Sequence, residues 1–222
     1  MSLKKNLDVK VFEQLREKII RGEWEPGQAL SADELSDYYG VSKTPVLLAL
    51  KRMEALNMLT VTSTGHYFVP EYTERDVYDL LEMRALLERQ AIFDLETRGI
   101  TPDFDRLSVL VQECDRANAD KDVVSARKAD MAFHSTLVSS VGNPYLSDLY
   151  DRVQSQFMVA NYLITGHTQA EQKIAADEHV TILDELRKGD FATTRAAMDA
   201  HIYAARDKML DKIKAKASSK TE

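Results

Sequence analysis

The sequence predicts a mainly α protein: an N-terminal winged helix-turn-helix followed by an all-α antiparallel helical bundle. Two observations carry this. Residues 1–72 read as three short helices and a β-hairpin. Residues 73–222 read as six longer helical segments with no strand signal between them. The expected boundary between the two domains is therefore 72/73.

Taken in order, residues 8–21 form an amphipathic stretch with Val11, Leu15 and Ile19 on one face. Gly22 to Gly27, with Pro26, ends it. Ser31 is placed as an N-cap, and Glu34 three residues on predicts a capping box. The helix SADELSDYY stops at Gly40, a residue suited to a left-handed C-cap. A third helix starts near Lys43, has Pro45 in its first turn, and turns Val46, Leu50 and Met53 to one side. The runs 58–62 and 66–70 alternate like strands, and Ser63-Thr64-Gly65 joins them. Beyond residue 72, helices are expected at 73–98, 102–118, 122–142, 145–165, 167–188 and 190–215. Their connections are short, which suits antiparallel neighbours.

Composition adds limits. The chain has 222 residues and a formal charge of −7. Up to residue 70 nine cations face nine anions, so the whole acidic excess falls on the later part. An acidic second part repels nucleic acid and leaves any such contact to the first. No apolar run is long enough for a membrane span. The N-terminus lacks a signal-peptide core and Cys114 is the one cysteine, so a reducing cytoplasm is the expected setting. Cys114 shares a stripe with Phe104, Leu107 and Leu110 and is expected to be a buried thiol. Trp24 is expected to pack beneath the Pro26-Gly27 turn, and His167 in its TGHT loop to face solvent.

Four polar side chains stand at core positions. Asp130 and His134 share a stripe with Leu137 and Val141. His179 shares one with Ala175, Ile182 and Leu186, and His201 one with Ala197, Met198 and Ala205. Buried carboxylates and imidazoles are costly unless satisfied. Either each is hydrogen-bonded within the core, or one metal ion satisfies all four. Asp130 and His134, four apart, lie on one helix face and supply half of such a shell. Imidazole with carboxylate suits a divalent Zn, Ni, Mn or Fe. Arg84 is a second anomaly, because it fills a gap in the stripe Val77, Leu80, Leu87, Ala91, Leu95. A buried guanidinium needs an anion: Glu88 one turn on, a carboxylate of another helix, or the carboxylate of a bound molecule.

Several segments resemble the GntR family of bacterial transcription regulators and its FCD branch. In the first part these are LREKIIRGEWEPGQAL, ELSDYYGVSKTPVLLALKRME and GHYFV. In the second they are LLEMRALLE, DMAFHSTLVSSVGNPYL and EHVTILDELRKGDFATTRAAMDAHI. The resemblance implies a DNA-binding head and a six-helix sensory domain. It implies Asp130, His134, His179 and His201 as metal ligands. It implies a homodimer on a palindromic operator, and a small organic acid as effector. Ser42, Lys43, Thr44, Lys51 and Arg52 on the third helix, with His66 in the wing, are then the expected DNA contacts. Arg84 and Asn161 are the expected effector contacts. Asn161 sits in the apolar stretch FMVANYLIT, where relatives often carry arginines, which points to one carboxylate on an apolar body.

The head departs from the family pattern S-R-T-P-V-R-E-A-L. Here it is Ser42-Lys43-Thr44-Pro45-Val46-Leu47-Leu48-Ala49-Leu50. Lys43 keeps charge without the planar fork that reads guanine. Leu47 and Leu48 replace an arginine and a glutamate. Asn57 or a neighbour stands where a glycine usually precedes the wing. Two further readings stay open: a metal-dependent hydrolase-like enzyme, for which no general base stands out beside the ligands, and a regulator whose metal is purely structural.

Overall fold

The computed structural model describes residues 7–166 and 169–218. The chain divides into two compact units, Met1–Tyr72 with Ser155–Gly166, and Thr73–Gln154 with His167–Glu222.

In the first unit, α1 (Leu7–Ile20), α2 (Ala32–Tyr39) and α3 (Lys43–Ala55) pack together, with α3 lying against both others. Val11, Leu15 and Ile19 of α1 are buried, as are Val46, Leu50 and Met53 of α3. Ser31 accepts from the Glu34 amide. The reciprocal bond, from the Ser31 amide to the Glu34 carboxylate, is not formed, so the expected capping box is only half made. Gly40 closes α2 in the left-handed conformation at φ 62.

The hairpin strands β2 (Thr60–Val61) and β3 (Tyr67–Phe68) pair antiparallel, Val61 opposite Tyr67. A third strand, β1 (Ala29–Leu30), pairs with the other edge of β3, Leu30 opposite Tyr67. The sheet thus has three strands where two were expected. A two-residue strand leaves almost no periodicity to read, and its partner lies nearly forty residues away.

Asn57 explains the missing glycine before the wing. It follows α3 at φ 53, with Asn57 N–H bonded to Glu54 O and Met58 N–H to Met53 O. This is the double bond of a left-handed helix stop, and asparagine is the residue that tolerates it best after glycine. Met58 is then buried beside the core, and the chain leaves for the wing.

The second unit holds α4 (Glu74–Arg98), α5 (Phe104–Ala119), α6 (Val123–Ser139), the first half of α7 (Pro144–Thr165), α8 (Gln169–Lys188) and α9 (Phe191–Ser218). No strand occurs here among the described residues. α5 packs along α6 and α8, α4 along α9 and α6, and α8 along α9. A full capping box opens α4, where the Thr73 hydroxyl accepts from the Asp76 amide and Asp76 accepts from the Thr73 amide. The buried stripe of α4 runs through Val77, Leu81, Arg84, Ala85, Glu88, Ala91, Ile92 and Leu95. Leu81 takes the place expected for Leu80, so Arg84 and Glu88 both lie inside it. Cys114 is buried against Ala117, Ala126 and Ala129, and burial pushes its thiol up to about 12. Trp24 is buried. Among the described residues no helix is long and apolar enough to cross a membrane.

Candidate functional site

Three helices of the second unit bring the four polar residues together. α6 supplies Asp130 and His134, α8 supplies His179, and α9 supplies His201. Their candidate ligand atoms all lie within 4.8 Å of one another. His134 Nε2 stands 3.0 Å from His179 Nε2 and 3.1 Å from His201 Nε2. Asp130 Oδ1 lies 3.3 Å from His179 Nε2. The three histidines are buried, while the Asp130 side chain is 19% exposed and forms the solvent side of the cluster rather than a core position. Ile182 and Leu186 flank His179 as expected. The Ala175 side chain and His167 lie outside the described residues. Around His201 the buried stripe is Thr194, Met198, Ile202 and Met209; the neighbours expected there, Ala197 and Ala205, are only half-buried.

Two carboxylates set the direction of the imidazoles. His134 Nδ1 is 2.7 Å from Glu88 Oε2, and His201 Nδ1 is 2.8 Å from Glu178 Oε2. An ionised carboxylate only accepts, so each Nδ1 carries the hydrogen and each Nε2 turns a lone pair inward. His179 Nδ1 has no hydrogen-bond partner. Its ring is held instead by stacking on Phe133, centroids 4.6 Å apart.

Glu88 is the centre of a wider network. Its Oε1 accepts from Arg84 Nε at 2.8 Å and from the Tyr150 hydroxyl at 2.8 Å. Tyr150 also lies 3.2 Å from Gln154 Oε1, and the Gln154 amide donates to Met131 O. Burial works against charge on Glu88, but the bonds from His134 and Arg84 outweigh it and hold the carboxyl well below its ordinary range. Burial opposes charge on Arg84 as well, and Tyr150 and Glu88 beside it keep the guanidinium protonated. Burial, reinforced by Glu88, keeps the Tyr150 proton in place. The structure therefore gives Arg84 the internal partner Glu88. Sequence reasoning named that partner but did not foresee Tyr150, Gln154, or the link to His134. The legible signal was a second charged residue on one buried stripe.

The cluster fits a divalent ion. Two nitrogens on one ion at about 2.0–2.1 Å, subtending roughly 90–110°, stand ~2.8–3.4 Å apart. The separations of 3.0 and 3.1 Å agree with that spacing. Lone pairs held toward one another repel, and a cation is the partner that satisfies them all.

Burial pushes His134 below the ordinary imidazole value of 6.5. It pushes His179 further below, with His201 and His134 adding to the effect. In metal-free protein just below pH 6.5 the unfolded chain thus binds more protons than the folded one. The stability due to these neutral imidazoles is complete above 6.5 and is lost as pH falls toward the lowered folded values. Thermal melts of chelated protein at about pH 7.5 and about pH 5.5 should show the midpoint falling. A midpoint that holds or rises on acidification would contradict a neutral buried cluster.

The expected DNA contacts lie in the first unit, and all six are exposed. Ser42 is the N-cap of α3 without a side-chain cap bond. Lys43 forms an ion pair with Asp33. Thr44 and Lys51 face outward on α3. The Arg52 guanidinium sits 4.3 Å from the Phe12 ring centroid, which orients it across the surface. His66 Nδ1 is 3.0 Å from the Thr64 hydroxyl in the wing turn. Asn161 belongs to the Ser155–Gly166 segment of the first unit and accepts from the Thr165 hydroxyl, whereas Arg84 belongs to the second unit.

Residues 7–69 match the profile described as bacterial regulatory proteins, gntR family, and residues 79–204 match the FCD domain. The chain belongs to the gntR family of bacterial regulatory proteins, in the group that carries an FCD domain. It is 26% identical over 211 residues to the HTH-type transcriptional regulator LutR of Bacillus subtilis (strain 168), covering 85% of this chain and 94% of LutR. It is 24% identical over 203 residues to the HTH-type transcriptional repressor GlaR of Escherichia coli (strain K12), covering 86% and 90%. The solved structure of E. coli McbR/YncC superposes with a TM-score of 0.79 at 22% identity, over 93% of this chain and 98% of that one. The protein is a DNA-binding transcriptional regulator, and the families it matches are regulators rather than enzymes.

Proposed function

We propose that this chain is a metal-containing repressor, released or engaged by a small carboxylic acid. Residues 1–72 act as the DNA-binding domain and residues 73–222 as the effector domain. Asp130, His134, His179 and His201 hold one divalent ion of zinc, nickel, manganese or iron. When bound, that ion supplies positive charge to a carboxylate oxygen. Arg84 and Asn161 are each proposed as effector contacts, and the acid has one carboxylate and an apolar body. Ser42, Lys43, Thr44, Lys51, Arg52 and His66 contact a palindromic operator as a cytoplasmic homodimer, because one small head rarely gives enough specificity alone. The observation that carries the sensing part is the convergence of three buried imidazole nitrogens with Asp130, each ring held by its own partner. Sensing further requires that the acid bind two states of the protein unequally.

The ligands come from three helices, which also favours a second reading in which the metal only staples the bundle. Chelation followed by circular dichroism and a DNA-binding titration separates the two. Retained helicity with lost acid response supports sensing; collapse of the helical signal assigns a structural metal. Citrate binding the loaded protein more tightly than simple monocarboxylates overturns the single-carboxylate assignment.

A further inference from the structure

We infer that Leu47 and Leu48 are base-reading residues that select thymine through its 5-methyl group. This rests on the proposed DNA-binding role of the first unit and names what that head reads.

α3 turns Val46, Ala49, Leu50 and Met53 into the core. At ~100° per residue, Thr44, Leu47, Leu48, Lys51 and Arg52 then occupy the opposite arc, and Lys43 stands exposed in the first turn beside it. Leu47 is 39% exposed and Leu48 52% exposed. A single exposed leucine needs no explanation. Here two adjacent ones sit between Lys43 and Lys51, at the helix end that enters a groove. From Lys43 to Arg52 the helix carries three cations and no carboxylate. That charge complements a polyanion: the cations take phosphates while the leucines between them face base edges.

Among the four bases only thymine presents an apolar group in the major groove. Guanine, adenine and cytosine present donors and acceptors there. Leucine cannot satisfy those atoms, and covering them with an isobutyl group removes their water without replacement. The two leucines thus favour thymine and reject the other bases at the positions they cover. An arginine at position 47 would instead fork onto guanine O6 and N7.

The test uses the whole 222-residue chain and a pool of duplexes with a randomised central segment. Sequences enriched by the wild-type protein should carry thymines at fixed positions in each half-site. Replacing those thymines singly by deoxyuridine removes the methyl group and nothing else. Affinity should fall about fourfold per contacted methyl, the effect of one buried methylene-sized group. Leu47→Ala and Leu48→Ala should each abolish the loss at one position. Both sites are exposed and alanine is a strong helix former, so the fold is kept. Leu47→Arg should shift the enriched base from thymine to guanine. An enriched site indifferent to deoxyuridine overturns the inference and leaves DNA binding standing. So does a deoxyuridine effect that persists in both alanine variants. Alanine variants that keep the base preference but lose self-association in sedimentation overturn it in favour of a second copy of the chain. No enrichment of any sequence overturns the DNA-binding reading, and the inference with it.

Discussion

Replacing His134 and His201 together by alanine should reduce bound divalent metal from roughly one ion per chain to background. These two rings have their Nδ1 atoms fixed by Glu88 and Glu178, so their Nε2 atoms are the best-oriented donors in the cluster. What remains is Asp130, partly open to solvent, and His179, whose Nδ1 has no hydrogen-bonded partner to fix the ring. Two donors of that kind do not compete with buffer for a divalent ion. The helices should survive, because alanine suits a helix and Glu88 keeps Arg84 and Tyr150 as donors. Elemental analysis of dialysed protein reads the result. His66→Ala, in the wing, should leave the content unchanged. Normal metal in the double variant would remove these residues from the site and return them to the role of hydrogen-bonded core polars.

The second large effect is on stability. Arg84→Met should cost about 3–5 kcal/mol, because it leaves the buried Glu88 carboxylate without its cation. Burying a charge is tolerated only while the pair is complete; losing one member exposes the full desolvation cost of the other. The double variant Arg84→Met/Glu88→Leu removes both charges and should recover much of that loss. It should not recover metal binding. Without Glu88, nothing fixes His134 Nδ1, and affinity should fall about ten- to a hundredfold. Urea unfolding and competitive metal titration on the same three proteins read the two effects separately. A single variant as stable as wild type would mean that Arg84 is not paired in the way the structure shows. A double variant with unchanged metal affinity would mean that Glu88 does not orient His134.

The two-part fold and its helices were legible because they depend on local signals. Period, caps and glycine stops placed α1 to α9 within a few residues. The four-residue cluster could be picked out because polar residues interrupted apolar stripes, and a resemblance supplied the order of the ligands. What was not legible depends on packing between elements. Glu178 precedes His179 in the sequence, yet it bonds to His201 on α9, and only the α8–α9 crossing decides that. Tyr150 looks like an ordinary aromatic on the apolar face of α7 until α4 is laid against it. β1 owes its existence to β3, not to its own two residues. Asn57 shows the converse. The absent glycine is visible in the sequence, but the left-handed φ that makes asparagine its substitute is visible only in the backbone.

Cys114 has a practical consequence. A thiol only 3% exposed and pushed up to about 12 holds almost no thiolate at neutral pH and offers almost no surface to a maleimide. The native chain can therefore serve as its own unreactive background for site-directed labelling. One cysteine placed at exposed Ser63 in the wing turn would carry one spin label per chain, with no need to delete the natural residue and reopen the core around it. In an assembled dimer, the separation between the two labels would report the spacing of the heads directly as acid is added.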